Sequence, residues 1–340
     1  MILIISHNFI DEPSNDIIDW LRYLKHNNFT RINGENYYMN SNYSISVNDG
    51  IVWSKKGYTI AGDINTVFYR RWNQNHEKIS LYENFIERNF SKKDVLLVQD
   101  FLSHIGSEYN NSINALFSVF GYGDQYWLPN IQITRNGINK TDALKIAQKN
   151  GIKIPDTLIT TLKKDVIKFK DKHKNIITKP IKDVSFIAYN NIELKMYTKT
   201  VSDGDIENMP ETFFPCLYQN QIDKAFELRV FFIEDSYYSM AIFSQEDDKT
   251  KVDFRNYNLK KPNRNIPFSL PKNIESKLKK TMNELGLNTG SIDLIIDNEN
   301  NYIFLEVNSV GQLGMVSEGG NYNLEKEIAQ KLIQNDTRRN

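Results

Sequence analysis

Apolar positions along this chain follow two periods, and their alternation predicts its elements. Residues 1–6 form a continuous apolar run, as expected of a strand buried on both faces. Ser14 is expected to cap a helix in which Ile17, Ile18, Leu21 and Leu24 share one face. Residues 44–47 and 51–53 flank Asn48, Asp49 and Gly50, a hairpin turn sequence, and residues 66–72 (TVFYRRW) return as a strand. Residues 77–102 and 107–120 read as two helices. An open α/β domain ending near residues 121–124 accounts for this pattern.

A second unit starts near Pro129. Residues 140–150 predict a helix with Leu144 and Ala147 inward, closed by Gly151. GIKIPDTLIT follows as turn and strand, 162–172 as a helix, and 176–180 (IITKP) as a short strand. Residues 186–189 and 193–198 make a hairpin around Asn190 and Asn191. From about Phe214 two longer hairpins dominate, 227–233 with 237–244 and 291–297 with 302–307. A helix over 271–285 lies between them, and one over 324–333 closes the chain. The polar, basic stretch 246–264 is expected to be a mobile loop.

With 340 residues the chain exceeds one compact core. The expected divisions are 1–125, 126–215 and 216–335. Lys and Arg balance Asp and Glu at 42 each, which argues against a nucleic-acid binder working through a large basic surface. The single cysteine, Cys216, excludes an internal disulfide and reads as a small buried residue. MILIISHNFIDEP has no basic residues ahead of its apolar run, so it reads as a strand and not as a signal peptide. No stretch approaches the roughly 18–20 apolar residues that span a bilayer. A soluble, cytoplasmic protein without membrane or nucleic-acid partners is expected. The five histidines (His7, His26, His76, His104, His173) lack metal-ligand spacing.

The strongest chemical signal is SIDLIIDNENNYIFLEVN, residues 291–308. If residues 298–301 form the loop, Asp297 pairs with Tyr302 and Asp293 falls opposite Glu306. Direct cross-strand partners stand about 5 Å apart, and Asn308 points the same way as Glu306. Two facing carboxylates repel unless something offsets the charge, and a hard dication such as magnesium does so through oxygen ligands. A solvated polar face is the competing reading. Leu294, Ile296, Leu305 and Val307 cover the other face.

Lys179 projects from an apolar strand, where a lysine reaches water or meets an anion. Lys140 opens a helix after a loop containing Gly137, near helix N-terminal amides that favour phosphate. Each alone is most often a surface residue. Arg229 alternates with apolar neighbours in FELRVFFI and is expected to face a polar pocket beside the carboxylates. Asp253 and Arg255 in KVDFRNYN share one face of an extended segment, as an anion clamp or an ordinary surface ion pair.

The ordered set NKTDALKIAQKNGIKIPDT, IITKP, LYQNQIDKAFELRVFFI and SIDLIIDNENNYIFLEVN resembles the ATP-grasp ligases. More narrowly, FYRRWNQ (68–74), FSQEDDKTKVDFRNYN (243–258) and LEVNSVGQLGMVSEGGNYNLEKEIA (305–329) resemble the subgroup that matures graspetides, including the microviridin and grasp-with-spasm peptide maturases. The resemblance implies an α/β (α+β) ATP-grasp fold with an N-terminal pre-ATP-grasp α/β domain, a central domain and a C-terminal lobe. It implies ATP and Mg2+ as cofactors. Lys140 and Lys179 would hold phosphates. Residues 217–222 would form the hinge between lobes, with Leu217, Gln219 and Ile222 at the adenine. Asp293, Glu306 and Asn308 would bind magnesium, and Arg229 would stabilise the transferring phosphoryl group. Asp253 and Arg255 match the Asp-x-Arg element that holds the acceptor glutamate or aspartate.

Two departures stand out. IKDVSFIAYNN (181–191) lacks the glycine-rich loop found after the second lysine in many members, and Asn220 stands where a Glu often follows Gln219. The implied activity is an ADP-forming ligation: a precursor peptide's Glu or Asp side chain is phosphorylated, then joined to a Ser or Thr hydroxyl or a Lys amine. The partner is a ribosomal precursor with a leader and an acidic, Ser/Thr-rich core, and a homodimer is expected. The alternatives are a RimK-like glutamate ligase acting on a protein tail, a small-molecule carboxylate-amine ligase, and an inactive nucleotide-binding scaffold.

Overall fold

Ile2, Leu3, Ile4 and Ile5 are each wholly shielded from solvent, as a strand with both faces covered requires. They lie in β1 (Ile2–Ser6), which the computed structural model places inside a parallel sheet. The structure describes residues 1–7, 11–37, 42–54, 57–72, 89, 94–121, 125–182, 187–189, 192–194, 198–247, 249–256 and 258–337.

The chain folds into two compact units: Met1–Ile131 with Leu324–Asn340, and Gln132–Asn323. In the first, β1 leads to α1 (Glu12–Tyr23) and β2 (Phe29–Asn33), and an antiparallel sheet of β3 (Tyr43–Ser46), β4 (Ile51–Ser54) and β5 (Gly57–Ile60) precedes β6 (Thr66–Tyr69). α2 (Val95–Gly121) and β7 (Tyr126–Leu128) follow. The main sheet runs β2-β1-β6-β7 with every pair parallel.

Two details differ from expectation. Asp11, not Ser14, is the N-cap of α1; Ser14 lies inside the first turn, buried, with its hydroxyl donating to Asp11 Oδ2 at 2.6 Å. α2 runs unbroken through Gly106 where two helices were expected; the expected stretch 77–93 falls almost wholly outside the described residues. Gly costs a helix interior only about 1 kcal/mol, less than the burial of Ile113, Leu116, Phe117 and Phe120 returns.

The second unit begins within α3 (Ile131–Asn136) and continues through α4 (Lys140–Lys149), β8 (Thr157–Leu162), α5 (Lys163–His173) and β9 (Ile176–Lys179). β10 (Ile187–Tyr189) and β11 (Ile192–Leu194) pair antiparallel as the expected hairpin; of the second strand expected over 193–198, residues 195–197 lie outside the described residues. β12 (Lys199–Thr200), α6 (Asp203–Glu207) and β13 (Thr212–Asn220) complete a sheet ordered β12-β9-β13-β8. The second sheet is antiparallel, ordered β16-β15-β14-β17-β18: β14 (Lys224–Ile233), β15 (Ser236–Phe243), β16 (Arg264–Phe268), β17 (Thr289–Asp297) and β18 (Tyr302–Asn308). α7 (Lys272–Glu284) and α8 (Leu313–Gly320) belong with it. α9 (Leu324–Thr337) returns to the first unit, where it packs on α1, β1 and β6. Its buried Asp336 meets the Met1 amine at 2.8 Å and His26 Nε2 at 3.1 Å.

Alternation explains the second sheet. Leu228, Val230 and Phe232 of β14 and Ile292, Leu294 and Ile296 of β17 enter one core with Leu144 and Ala147 of α4 and Leu278 and Met282 of α7. Their intervening neighbours face the opposite way, and these carry the charges. Residues 246–263 hold no strand or helix among the described residues, but Thr250, Asp253 and Phe254 are buried and anchor the stretch. No helix is long and apolar enough to cross a membrane among the described residues.

Candidate active site

Strand pairing sets the site. On β14, β17 and β18, Arg229, Asp293 and Glu306 are direct partners in one row, with Phe231, Ser291 and Asn308 in the next. Asp293 therefore faces Glu306, but by a different route from the one expected. The turn closes with Ile296 paired to Tyr302, leaving five residues in the loop, and a register shift between Asp293 and Leu294 restores the acid pair. The extra residue is Leu305, which is only half-buried because the bulge takes it out of the apolar face; Phe304 fills that place. Asp297 does not pair with Tyr302. Its carboxylate organises the loop, accepting from the Glu299 and Asn301 backbone N–H groups at 2.9 and 2.8 Å.

The repulsion between Asp293 and Glu306 is already offset by the protein's own cations. Arg229 donates from Nε to Asp293 Oδ1 and from Nη2 to Oδ2, both at 2.7 Å. Lys140 Nζ stands 3.2 Å from Glu306 Oε2. Lys140 is the first residue of α4, whose N-cap Asn139 accepts from the Thr141 and Asp142 N–H groups. Burial pushes the Glu306 carboxyl up, but Lys140, Lys179 and Arg255 together outweigh it and hold the group below its ordinary value. The Lys179 ammonium, at the end of β9 beside Leu217, has no hydrogen bond or ion pair among the described residues; burial pulls its pKa down, while Glu306 acts in the opposite sense.

Asp253 and Arg255 form a two-pronged ion pair with each other. Arg255 donates from Nε and Nη2 to the two Asp253 oxygens at 2.8 Å each, and from its backbone N–H at 3.1 Å. Burial raises the Asp253 carboxyl, but the Arg255 bonds prevail and lower it, and the same bonds raise the Arg255 guanidinium. The Arg255 and Lys179 side chains both feel Glu306 and Asp293, so the four cations Lys140, Lys179, Arg229 and Arg255 gather around one acidic pair.

The stretch 217–222, expected as a hinge, divides between a strand and a connection. Residues 217–220 belong to β13, and 221–223 connect it to β14. Leu217 is buried, and Gln219 is buried with its amide donating to Thr157 Oγ1 at 2.9 Å. Ile222 lines an open cleft of 430 Å³ with Ile152, Lys153, Ile154 and Ile303. Ile303 pairs with Ile295, two residues from Asp293 on the same face, so the cleft adjoins the charged row. Cys216, expected to be buried, is half-buried on β13. The expected glycine-free lid, 181–191, lies mostly outside the described residues.

Sequence reasoning missed three contributors. Glu227 shares the face of Arg229, is buried, and accepts from Lys224 and from Ser244 Oγ; burial raises its pKa, with Lys224 acting against that. Its two-residue spacing from Arg229 was a readable signal. Gln312 accepts from Arg229 Nη1 at 2.8 Å, and the Phe254 ring lies 5.4 Å from the Arg229 guanidinium carbon. Neither sits in a periodic pattern that points to Arg229.

Can such a site hold a metal? No group of three His, Cys, Asp or Glu fit for one occurs among the described residues. Two carboxylates and the Asn308 amide in adjacent rows are all oxygen donors, which suits a hard cation whose remaining positions are filled by phosphate oxygens or water. The donor set fits magnesium.

The RimK-like ATP-grasp domain matches residues 137–332, more than half of the chain and every residue of this site. The chain belongs to the RimK-like ATP-grasp family. Its structure is similar to a RiPP-associated ATP-grasp ligase from Chryseobacterium gregarium, solved with ADP and a leader and core peptide, at 25% identity, TM-score 0.78, and 98% and 96% coverage of the two chains. It is also similar to the macrocyclase MdnC from Microcystis aeruginosa MRC, bound with precursor peptide MdnA, at 22% identity, TM-score 0.78, and 98% and 99% coverage. The ATP-grasp ligase PsnB, complexed with minimal precursor, Mg and ADP, shares the fold at 14% identity, TM-score 0.74, and 98% and 97% coverage. No curated protein matches the chain in sequence. The expected ATP-grasp fold and the resemblance to peptide-maturing ligases are borne out.

Proposed function

We propose that this ATP-grasp ligase uses ATP and magnesium to activate Glu or Asp side chains of a ribosomal precursor peptide and to link them to Ser/Thr hydroxyls or Lys amines. One observation carries the reading: a single cross-strand row of Arg229, Asp293 and Glu306, ringed by Lys140, Lys179 and Arg255. An anion-rich ligand with its own cation matches that charge arrangement, and the ADP- and peptide-bound relatives match it in chemistry.

In this reading Lys140 and Lys179 bind phosphate oxygens, and Asp293, Glu306 and Asn308 hold magnesium, which neutralises phosphate charge. Leu217, Gln219 and Ile222 border the nucleobase, with the apolar cleft at Ile222 in support. Asp253 aims Arg255 at the acceptor carboxylate. Its oxygen attacks the γ-phosphorus while Arg229 stabilises the transferring phosphoryl group, and ADP leaves. The hydroxyl or amine then attacks the acyl carbon and phosphate departs. The protein's part is positioning and charge stabilisation. The lobes on either side of the nucleotide are the expected parts 126–215 and 216–335, the latter without residues 324–335, which pack with the first unit. A homodimer in the cytoplasm, where ATP is plentiful, completes the proposal.

Incubation with ATP, magnesium and an acidic, Ser/Thr-rich precursor is expected to remove one water per crosslink, read by mass spectrometry. No loss of water from any such peptide, with ADP still bound, would overturn the ligation. The RimK-like match favours one second reading, addition of glutamate to a protein tail; mass gain in place of loss identifies it.

A further inference from the structure

Arg229 is held at all three guanidinium nitrogens. Nε and Nη2 grip both oxygens of Asp293 at 2.7 Å, and Nη1 donates to Gln312 Oε1 at 2.8 Å. The Phe254 ring lies 5.4 Å from its guanidinium carbon. A divalent cation needs at least one Asp293 oxygen, and both now accept from Arg229. Each of those oxygens keeps a second lone pair for the metal, but a dication there repels the guanidinium and draws on the same oxygens, so metal binding weakens the fork. What then keeps the guanidinium over the site?

Gln312 sits where it can do so. Its backbone N–H donates to Ser291 Oγ at 3.1 Å, and Ser291 is two residues from Asp293 on the same face of β17. Gly311 presses the same loop against that strand: its φ is +66°, and a Cβ there would lie 2.8 Å from Ser291 Oγ and 2.9 Å from Phe231. The loop after β18 is thus fastened to β17 independently of Asp293, and it carries an acceptor to the one arm of Arg229 that Asp293 does not use.

We infer that Gln312 is a positioning residue for phosphoryl transfer. It retains Arg229 through Nη1 while a metal on Asp293 weakens the other two bonds, so that the guanidinium stays directed at the site. The inference rests on the proposed assignment of Asp293 to magnesium and of Arg229 to the phosphoryl group.

The test compares Gln312→Met, which keeps length without the acceptor, with Gln312→Glu, which keeps the acceptor. Three readouts are taken: calorimetric binding of ADP with magnesium, kcat and peptide KM, and arginine side-chain NMR of the metal-free protein. Gln312→Met is expected to lower kcat about tenfold, with peptide KM and ADP affinity within twofold of wild type. Gln312→Glu is expected to recover at least half of the lost kcat. In the metal-free spectrum, rotation of the Arg229 Nη1 group is slowed in wild type and released in Gln312→Met. Unchanged kcat in Gln312→Met, or equal rotation in both proteins, overturns the inference while leaving the site assignment standing. Failure of wild type to bind ADP with magnesium overturns the assignment, and the inference with it.

Discussion

Two arginine–aspartate forks lie in the second unit, and their bonds are nearly the same length: 2.7 Å for Arg229 on Asp293 and 2.8 Å for Arg255 on Asp253. Their surroundings differ. The Arg229 side chain is 5% exposed, whereas Arg255 is 41% exposed over an almost buried aspartate. The inner arginine has a partner at every nitrogen, the third being Gln312. The outer one has no hydrogen bond to Nη1 among the described residues, and its open edge can meet a carboxylate from solvent. Nearly equal hydrogen bonds thus sit in different settings: one arginine is enclosed within the sheet, the other keeps an exposed edge.

The comparison breaks first at Asp293. Asp293→Ala leaves a buried arginine without its partner and removes a proposed metal ligand. Turnover is expected to fall at least about 100-fold, and stability by about 3 kcal/mol in urea titration. Retained activity would falsify the metal assignment. Arg255→Ala should cost less stability, about 1–2 kcal/mol, because the arginine is itself partly solvated and the buried Asp253 keeps the Thr198 N–H. Its effect belongs in the acceptor: peptide KM should rise about tenfold while ADP affinity stays within twofold, and an equal loss of both would place Arg255 with the nucleotide instead.

Gly311→Ala should lower stability by about 1–2 kcal/mol, seen as a reduced melting temperature, since the added methyl meets Ser291 at a positive φ. No shift in melting temperature would mean that the loop yields. The smallest effect is in pH. Asp253 lies below its ordinary value of 3.8, so its stabilisation is complete above that pH and is lost as pH falls through the depressed folded value. The stability gap between wild type and Asp253→Asn should therefore close below about pH 3.8 and stay constant above about pH 5. A gap that widens on acidification contradicts the sign.

Much of the fold was legible because its strands carry strict alternation or unbroken apolar runs. The hairpins of β14 with β15 and β17 with β18 follow from period-two patterns. The Asp293–Glu306 pairing was legible only by luck of cancellation: a loop taken as one residue too short and a bulge at Leu305 left unseen compensate for each other. Bulges depend on the twist of a whole sheet, which local sequence does not express. The N-cap was misplaced because Asp11 and Ser14 both suit the role, and tertiary context decides. Lys140 with Glu306, 166 positions apart in the chain, and Gln312 with Arg229 are long-range contacts that periodicity cannot deliver. The role of the Asp-x-Arg element was a pattern resemblance; its middle residue, Phe254, was silent in sequence yet is the part that touches Arg229.

The bulge at Leu305 separates the geometry of the charged row from the geometry of the turn. From Phe226 to Ile233 the register of β17 is set without interruption by β14, the strand on its far side. The tip around Asn298 and Glu299 can thus accept extra residues, such as a short epitope or a dye-bearing graft, without turning Asp293 away from Arg229. That tip is the natural handle for immobilising or labelling the protein.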